Sequence, residues 1–300
     1  MKLKDNYHLY SIITIIFWSS AYVFTRLALR YFTPLSLGVL RYLFASLLLI
    51  VIALFVKIKI PNKNDLKWFI LAGFFGFFFY MIAFNIGSVT VSAATCSIIV
   101  ATVPIITTLL ARVFFKEKLK KIQYFAILIE FIGVGVLTLM NGIFSINIGI
   151  IWILLASIAL SIYNLLQKKI TKKYPPIQTT ILSVWFGTAF LFIFSPASFL
   201  EIKNASYIYI IYIAILGVFC SAIAYITWTY ALSKTKNTSS VTNYMFLTPF
   251  LTAVLGIFLA KETLDSPTII GGIIIMGGLF IYNFSEKIIF KICKKRKNGT

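Results

Sequence analysis

Two stretches of the chain match each other at a fixed offset of 145 residues without a gap, and their flanking charges are opposite. Residues 84–140 overlie residues 229–285, aligning Pro104 with Pro249, Lys116-Glu117 with Lys261-Glu262, Leu119 with Leu264, and Gly133 with Gly278. Ser88/Ser233, Thr90/Thr235, Thr107/Thr252, Leu110/Leu255 and Ile129/Ile274 hold the same register. The junction Phe115-Lys-Glu-Lys-Leu-Lys-Lys121 is strongly basic, whereas its copy Ala260-Lys-Glu-Thr-Leu-Asp-Ser266 sets one lysine against Glu262 and Asp265. The preceding loop behaves the other way round: Ser88-Val-Thr-Val-Ser92 has no cation, and its copy Ser233-Lys-Thr-Lys-Asn237 has two.

A duplication whose charge bias reverses makes sense in a membrane, where basic loops stay on the cytoplasmic side. Only 12% of the 300 residues are charged and 60% are hydrophobic, with a mean hydropathy of +0.95. Soluble domains carry about 25% charged residues, so this chain has too few to cover a water-facing surface. Apolar runs long enough to cross a bilayer fall at about 9–28, 35–56, 67–87, 91–114, 122–140, 148–167, 177–196, 206–232, 239–260 and 268–285. The expected fold class is an all-α integral membrane protein of ten transmembrane helices in two inverted five-helix repeats. Five spans per copy is an odd number, so the second copy must enter upside down. The expected divisions are 7–140, 147–285, and a basic cytoplasmic tail over 286–300.

The net charge of +20 follows the same topology. With the N-terminus in the cytoplasm, 23 loop and tail cations fall inside and only Arg26, Arg30, Lys203 and Lys261 outside, with Arg41 inside span 2. The tail Lys291-Ile-Cys-Lys-Lys-Arg-Lys reads as an orientation signal near anionic lipid, not as a nucleic-acid arm. Met1-Lys-Leu-Lys before an apolar run resembles a signal peptide. Span 1 has an internal counterpart in span 6, however, so it is expected to be retained. Phe32-Thr-Pro34 and Tyr174-Pro-Pro176 mark the same point in each copy, at an offset of 142.

Catalytic groups are sparse. Cys96, Cys220 and Cys293 have no disulfide or metal spacing, and the lone His8 is at the membrane edge. No Gly-rich loop ending in Lys-Ser/Thr is present, which excludes the usual ATPase cradle. An integral-membrane enzyme is the disfavoured alternative, and neither cofactor nor metal is expected.

The polar residues inside the spans are the candidates for chemistry. Arg41 is either an interhelical arginine or a counter-charge for an anionic or zwitterionic solute, because intramembrane charge is costly. Glu130 is a candidate proton-coupling site or an ion-pair partner of Arg41 or Arg112. Pro104 and Pro249 predict matched helix kinks, flanked by Thr102, Thr107 and Thr108 in one copy and Thr248 and Thr252 in the other. Inverted-repeat transporters bind solute near the midplane, at the repeat interface. Trp18, Ser19 and Tyr22 on span 1, with Tyr163, Asn164 and Gln167 on span 6, complete a candidate aromatic and hydrogen-bonding wall. Packing alone accounts for such residues equally well. Gly133/Gly135 and Gly271/Gly272/Gly277/Gly278 read as close helix contacts.

Taken in order, Phe17-Trp-Ser-Ser-Ala21, Leu40-Arg-Tyr42, the mid-span prolines, and Glu117-x-Leu and Glu262-x-Leu before Ile132-Gly-Val134 and Met276-Gly-Gly278 resemble the EamA-type members of the drug/metabolite transporter superfamily. The resemblance spans residues 7–285. It implies a multi-pass inner-membrane carrier working by alternating access, with both termini cytoplasmic and often exporting amino acids or other metabolites. Flippases and nucleotide-sugar carriers of the same superfamily are the alternative. The second copy departs from the pattern in having Ser183 where the first has Arg41, and Glu130 is not part of the pattern.

Overall fold

A computed structural model describes all residues except 1–6, 57, 116–120, 140–146, 235–240, 242 and 298–300. Residues 116–120 of the basic junction, 235–237 of the Ser233–Asn237 loop and the link near residue 145 therefore lie outside the described residues. Helices account for all the regular structure among the described residues: α1 (Tyr7–Ala28), α2 (Pro34–Phe55), α3 (Lys63–Thr90), α4 in two pieces (Ala93–Val100 and Val103–Phe115), α5 (Lys121–Leu139), α6 (Ile148–Ile170), α7 (Pro176–Lys203), α8 (Tyr207–Ser233), α9 (Leu247–Ala260) and α10 (Ser266–Lys297). Six of them, α1, α2, α3, α6, α7 and α8, are long and apolar enough to cross a bilayer, and Ala93–Thr107, Leu247–Ala260 and Ser266–Tyr282 are shorter apolar stretches. This is the ten-helix, two-repeat architecture expected from the duplication.

Local chemistry sets the boundaries. Thr33 precedes Pro34 and its hydroxyl accepts from Ser36 N–H (3.4 Å), with proline at the first helical position where its missing donor costs nothing. Pro176 likewise takes the first position of α7, after Pro175 and without a side-chain cap. Ser92 caps α4 by accepting from Thr95 N–H (3.1 Å), and Asn147 caps α6 through Gly149 N–H (2.9 Å).

The duplication is visible in the packing. The last helices of the two copies, α5 and α10, lie against each other, and their equivalent glycines exchange roles. A Cβ on Gly133 would lie 2.6 Å from Ile275 Cγ1, and one on Gly278 would lie 2.7 Å from Glu130 Cγ. Positions 130 and 275 are themselves related by the repeat offset, so the contact has its own two-fold symmetry. Without a hydrophobic drive between helices in lipid, such small-residue contacts are what brings helices together.

Polar ties between the copies include a cluster at each end of the bundle. At one end, Glu201 in the last turn of α7 accepts from Thr33 N–H (2.9 Å), Thr33 Oγ1–H (2.8 Å) and Ser36 Oγ–H (2.8 Å), covering the start of α2. Glu262 between α9 and α10 does the same for α4, accepting from Ala93 N–H at 3.0 and 3.2 Å. Glu262 also pairs with Arg26 Nε (3.5 Å), while Arg26 donates to the Ser88 (2.8 Å) and Val89 carbonyls. At the other end, the Gln178 amide bonds the Lys59 carbonyl (2.7 Å) and Tyr174 Oη donates to Asp65 (2.6 Å), beside a Lys173–Asp65 ion pair. Residues 36 and 178 are counterparts at the 142-residue offset, as are 59 and 201. The same clamp has been built twice, once at each end.

Candidate functional site

The helices that start within a copy leave a crevice where the copies meet. Its walls are Trp18, Ala21 and Tyr22 from α1, Arg41 from α2, Tyr80 and Phe84 from α3, and Ser97, Val100 and Ala101 from α4. The second copy supplies Leu160 from α6, Tyr225 from α8, and Met245 and Thr248 from around the start of α9. Trp18 and Leu160 are counterparts at the 142-residue offset, and Val100 and Met245 at the 145-residue offset. The crevice therefore lies on the internal two-fold axis. The space between these side chains is about 500 Å³, counting the part open to solvent, and its free room suffices for about one water molecule.

Breaks in two helices flank the crevice. In α4 the helix stops at Val100 and restarts at Val103, with Ala101–Thr102 as a turn, and Pro104 is the second residue of the new piece. In α9 a 3₁₀ turn over Asn243–Phe246 leads into the helical piece Leu247–Leu255, of which Pro249 is the third residue. Each proline thus sits in the first turn of a restarted helix, where its ring and missing N–H are tolerated. Thr102 Oγ1 donates to the Ile99 carbonyl (2.7 Å) within the break. Thr248 Oγ1, on the crevice wall, is buried without a hydrogen-bond partner.

Arg41 is the cation of this site. It is 4% exposed, and a charge at this depth costs on the order of 3 kcal/mol or more. Nε donates to Ser221 Oγ at 2.6 Å, and Nη1 points at Met81 Sδ at 3.9 Å. The Tyr42 ring lies 5.9 Å from the guanidinium carbon. No carboxylate of the described residues forms an ion pair with it. Ser221 belongs to a π-helical stretch of α8, Ile215–Ile223, a wider turn that often marks functional positions. That stretch packs directly on α2, because a Cβ on Gly217 would lie 2.6 Å from the Arg41 carbonyl oxygen and 2.5 Å from Phe44 Cβ. Only glycine allows this approach, and it brings Ser221 within reach of the guanidinium.

Aromatic rings enclose the rest. Tyr22 meets Phe84 edge-on (5.5 Å between centroids), and Phe84 stacks on Tyr80 (5.6 Å). Across the crevice, Trp18 packs on Tyr225 (5.3 Å) and Trp228 (4.9 Å).

Of the residues expected from sequence, the structure brings Trp18, Tyr22, Arg41 and Thr248 to one crevice. Ser19 lies just behind it, buried, with its hydroxyl 3.5 Å from the Thr248 carbonyl and its own carbonyl accepting from Thr252 Oγ1 (3.2 Å). Thr102 adjoins the lining residue Ala101. Tyr163, 1% exposed, is a layer further out, in edge contact with Tyr225 (5.9 Å) and bonded by Gln167 Nε2 (2.8 Å). Asn164 is half-buried on α6 and does not line the crevice. Glu130 is elsewhere, 4% exposed in the α5–α10 contact, with Oε1 unpartnered; the structure does not bring it to Arg41. The Arg112 side chain lies outside the described residues. Tyr80, Phe84, Tyr225 and Ser221 have no motif that marks them. Tyr80 and Tyr225 stand 145 residues apart, so the repeat register is a sequence signal that could have found this pair.

Matches to the EamA-like transporter family cover residues 6–139 and 147–284, one for each copy. The chain belongs to this family. It is 32% identical over 289 residues to the uncharacterized transporter YdfC of Bacillus subtilis (strain 168), covering 92% of this chain and 94% of that protein. It is 25% identical over 272 residues to a probable terminal-alkyne amino-acid exporter of Streptantibioticus cattleyicolor, covering 91% of each. One protein crystal structure superposes with a TM-score of 0.63 over 94% of this chain and 97% of its own, at 16% identity, a likeness of fold alone. As a member of the EamA-like family, the chain is a multi-pass membrane transporter whose surroundings are lipid and whose cargo is a small solute.

Proposed function

We propose that this EamA-like transporter is a secondary carrier that exports small organic metabolites, amino acids among them, across a bacterial-type inner membrane by alternating access, with both termini in the cytoplasm. The observation that carries this reading is the position of the crevice. It lies on the axis relating two inverted copies, at breaks in α4 and α9, where such carriers hold their solute. Trp18, Tyr22, Arg41 and Thr248 are the contacting residues in this reading, Ser19 and Thr102 shape the helices that bear them, and Tyr163 and Gln167 back the Tyr225 wall. Pro104 and Pro249 mark the points about which α4 and α9 change shape. The amino-acid exporter of Streptantibioticus cattleyicolor supports the solute class and direction. Glu130 acts in packing, as the residue that fills the Gly278 notch.

Uptake and counterflow of radiolabelled solutes in proteoliposomes test the proposal. Saturable, ATP-independent flux that is lost in Arg41→Gln and partly kept in Arg41→Lys is the expected result, since lysine retains charge but not the planar fork. Full transport by a folded Arg41→Gln protein would return this arginine to a packing role.

A further inference from the structure

The charge inventory of the crevice is one-sided. Its lining holds one cation, Arg41, and no aspartate or glutamate. Guanidinium has five N–H donors. Two are directed at Ser221 Oγ and Met81 Sδ, and the remaining three suffice to clasp a carboxylate at two points. We propose that the crevice selects net monoanionic organic acids with an apolar or aromatic body over zwitterions of the same skeleton. This rests on the reading of the crevice as the solute site, and within that cargo it ranks acids without a neighbouring ammonium, such as 2-oxo, 2-hydroxy or N-acyl acids, above amino acids.

The reason is proximity. In an α-amino acid the ammonium is attached to the carbon next to the carboxylate, so clasping the carboxylate at Arg41 brings two cations close together. The groups around Arg41 are Ser221, Met81 and the Tyr42 ring, and none carries negative charge to offset the second cation. An ammonium moved out of water into such a place loses hydration without an ion partner. The aromatic faces of Trp18, Tyr80 and Tyr225 attract cations, but they serve equally as an apolar wall for a neutral ring. A monoanion neutralises Arg41 and leaves nothing unpaired. Ser221 is a positioning residue: its hydroxyl fixes Nε and so turns the fork toward the cavity.

The test uses purified full-length protein in lipid nanodiscs and four ligands of one skeleton: 3-phenylpropanoate, phenylalanine, phenylalaninamide and 3-phenylpropanamide. Calorimetry is expected to show the propanoate binding about 10-fold or more tightly than phenylalanine, as for loss of one charge-assisted contact. Arg41→Lys should weaken the propanoate and keep the order. Ser221→Ala should weaken the propanoate and leave the neutral propanamide unchanged, which a general packing defect does not do. Equal or tighter binding of phenylalanine, no binding of the propanoate, or indifference of its affinity to Arg41→Lys would each overturn the inference. Flux in proteoliposomes separates the two claims. If phenylalanine crosses and the propanoate does not, the monoanion inference falls while transport stands. If the propanoate binds in the expected order and no solute crosses, the binding inference stands and the transport reading falls.

Discussion

Replacing Glu262 tests whether the carboxylate ties at the end of the bundle hold one conformation of the protein. The side chain does two things. It accepts from Ala93 N–H at 3.0 and 3.2 Å, and it pairs with Arg26 Nε at 3.5 Å. Loss of an acceptor at a helix start costs about 1 kcal/mol. The ion pair is partly exposed, with side-chain exposures of 32% and 14%, so it adds only about 0.5 kcal/mol. Arg26 keeps its bonds to the Ser88 and Val89 carbonyls, and no new buried charge is stranded. Glu262→Ala should therefore cost about 1.5 kcal/mol, roughly a 10-fold change in the ratio of conformers in which this end is joined or parted. Glu262→Gln keeps an acceptor for Ala93 and should cost only the ion pair, about a third as much. Spin labels on cysteines at Val89 and Thr263, read by pulsed electron resonance, should show a longer distance gaining population in the order wild type, Gln, Ala. An unchanged distance distribution and an unchanged melting temperature in Glu262→Ala would refute the idea that this carboxylate holds the end closed.

Other expectations follow from the same geometry. Gly278→Ala should destabilise the protein by about 1–3 kcal/mol through overpacking, because the new Cβ would lie 2.7 Å from Glu130 Cγ and 2.9 Å from the Ala126 carbonyl oxygen; a thermal melt in detergent checks this. Bonds from Lys173 and then Tyr174 hold the Asp65 carboxyl below its usual range, and Asp65 raises Lys173. A depressed acid stabilises the fold above its unfolded value of about 3.9 and loses that as pH falls further, while the raised lysine loses its contribution above about 10.4. Melting temperature should thus fall below about pH 4 in the wild type and less steeply in Asp65→Asn. Cysteines at Lys63 and Lys173 should label from the cytoplasmic side and one at Lys203 from outside, with the reverse pattern contradicting the orientation.

How much was legible in advance differs by level. The offset of 145 residues and the reversed charges at 115–121 and 260–266 specify the number of copies and their inversion, because positive-inside bias acts on loops regardless of packing. Arg41 stands out because a charge inside an apolar span is costly, with an interhelical arginine as the alternative reading. Its partner does not. Ser221 is one of many serines and threonines in the spans, and only the π-helical turn and the close approach at Gly217 aim it at Nε. With 17% of the chain aromatic, residue type alone does not separate Tyr80, Phe84 and Tyr225, which line the crevice, from Tyr163, which backs it. The expectation for α6 fell one layer short for that reason: Tyr163 and Asn164 are adjacent in sequence but turn to different environments. The duplicated prolines marked the helix breaks, yet the 3₁₀ turn before Pro249 and the turn at Ala101–Thr102 have no sequence signature of their own.

The central claim is that the crevice on the two-fold axis opens alternately to the two sides of the membrane. The most direct measurement places a single cysteine at Ser97, a lining residue, in a protein whose own cysteines are replaced by serine, and adds a membrane-impermeant thiol reagent from each side in turn. Modification from both sides, slowed in each case by a transported solute, is the expected result. Modification from one side only, or none that solute affects, would contradict it.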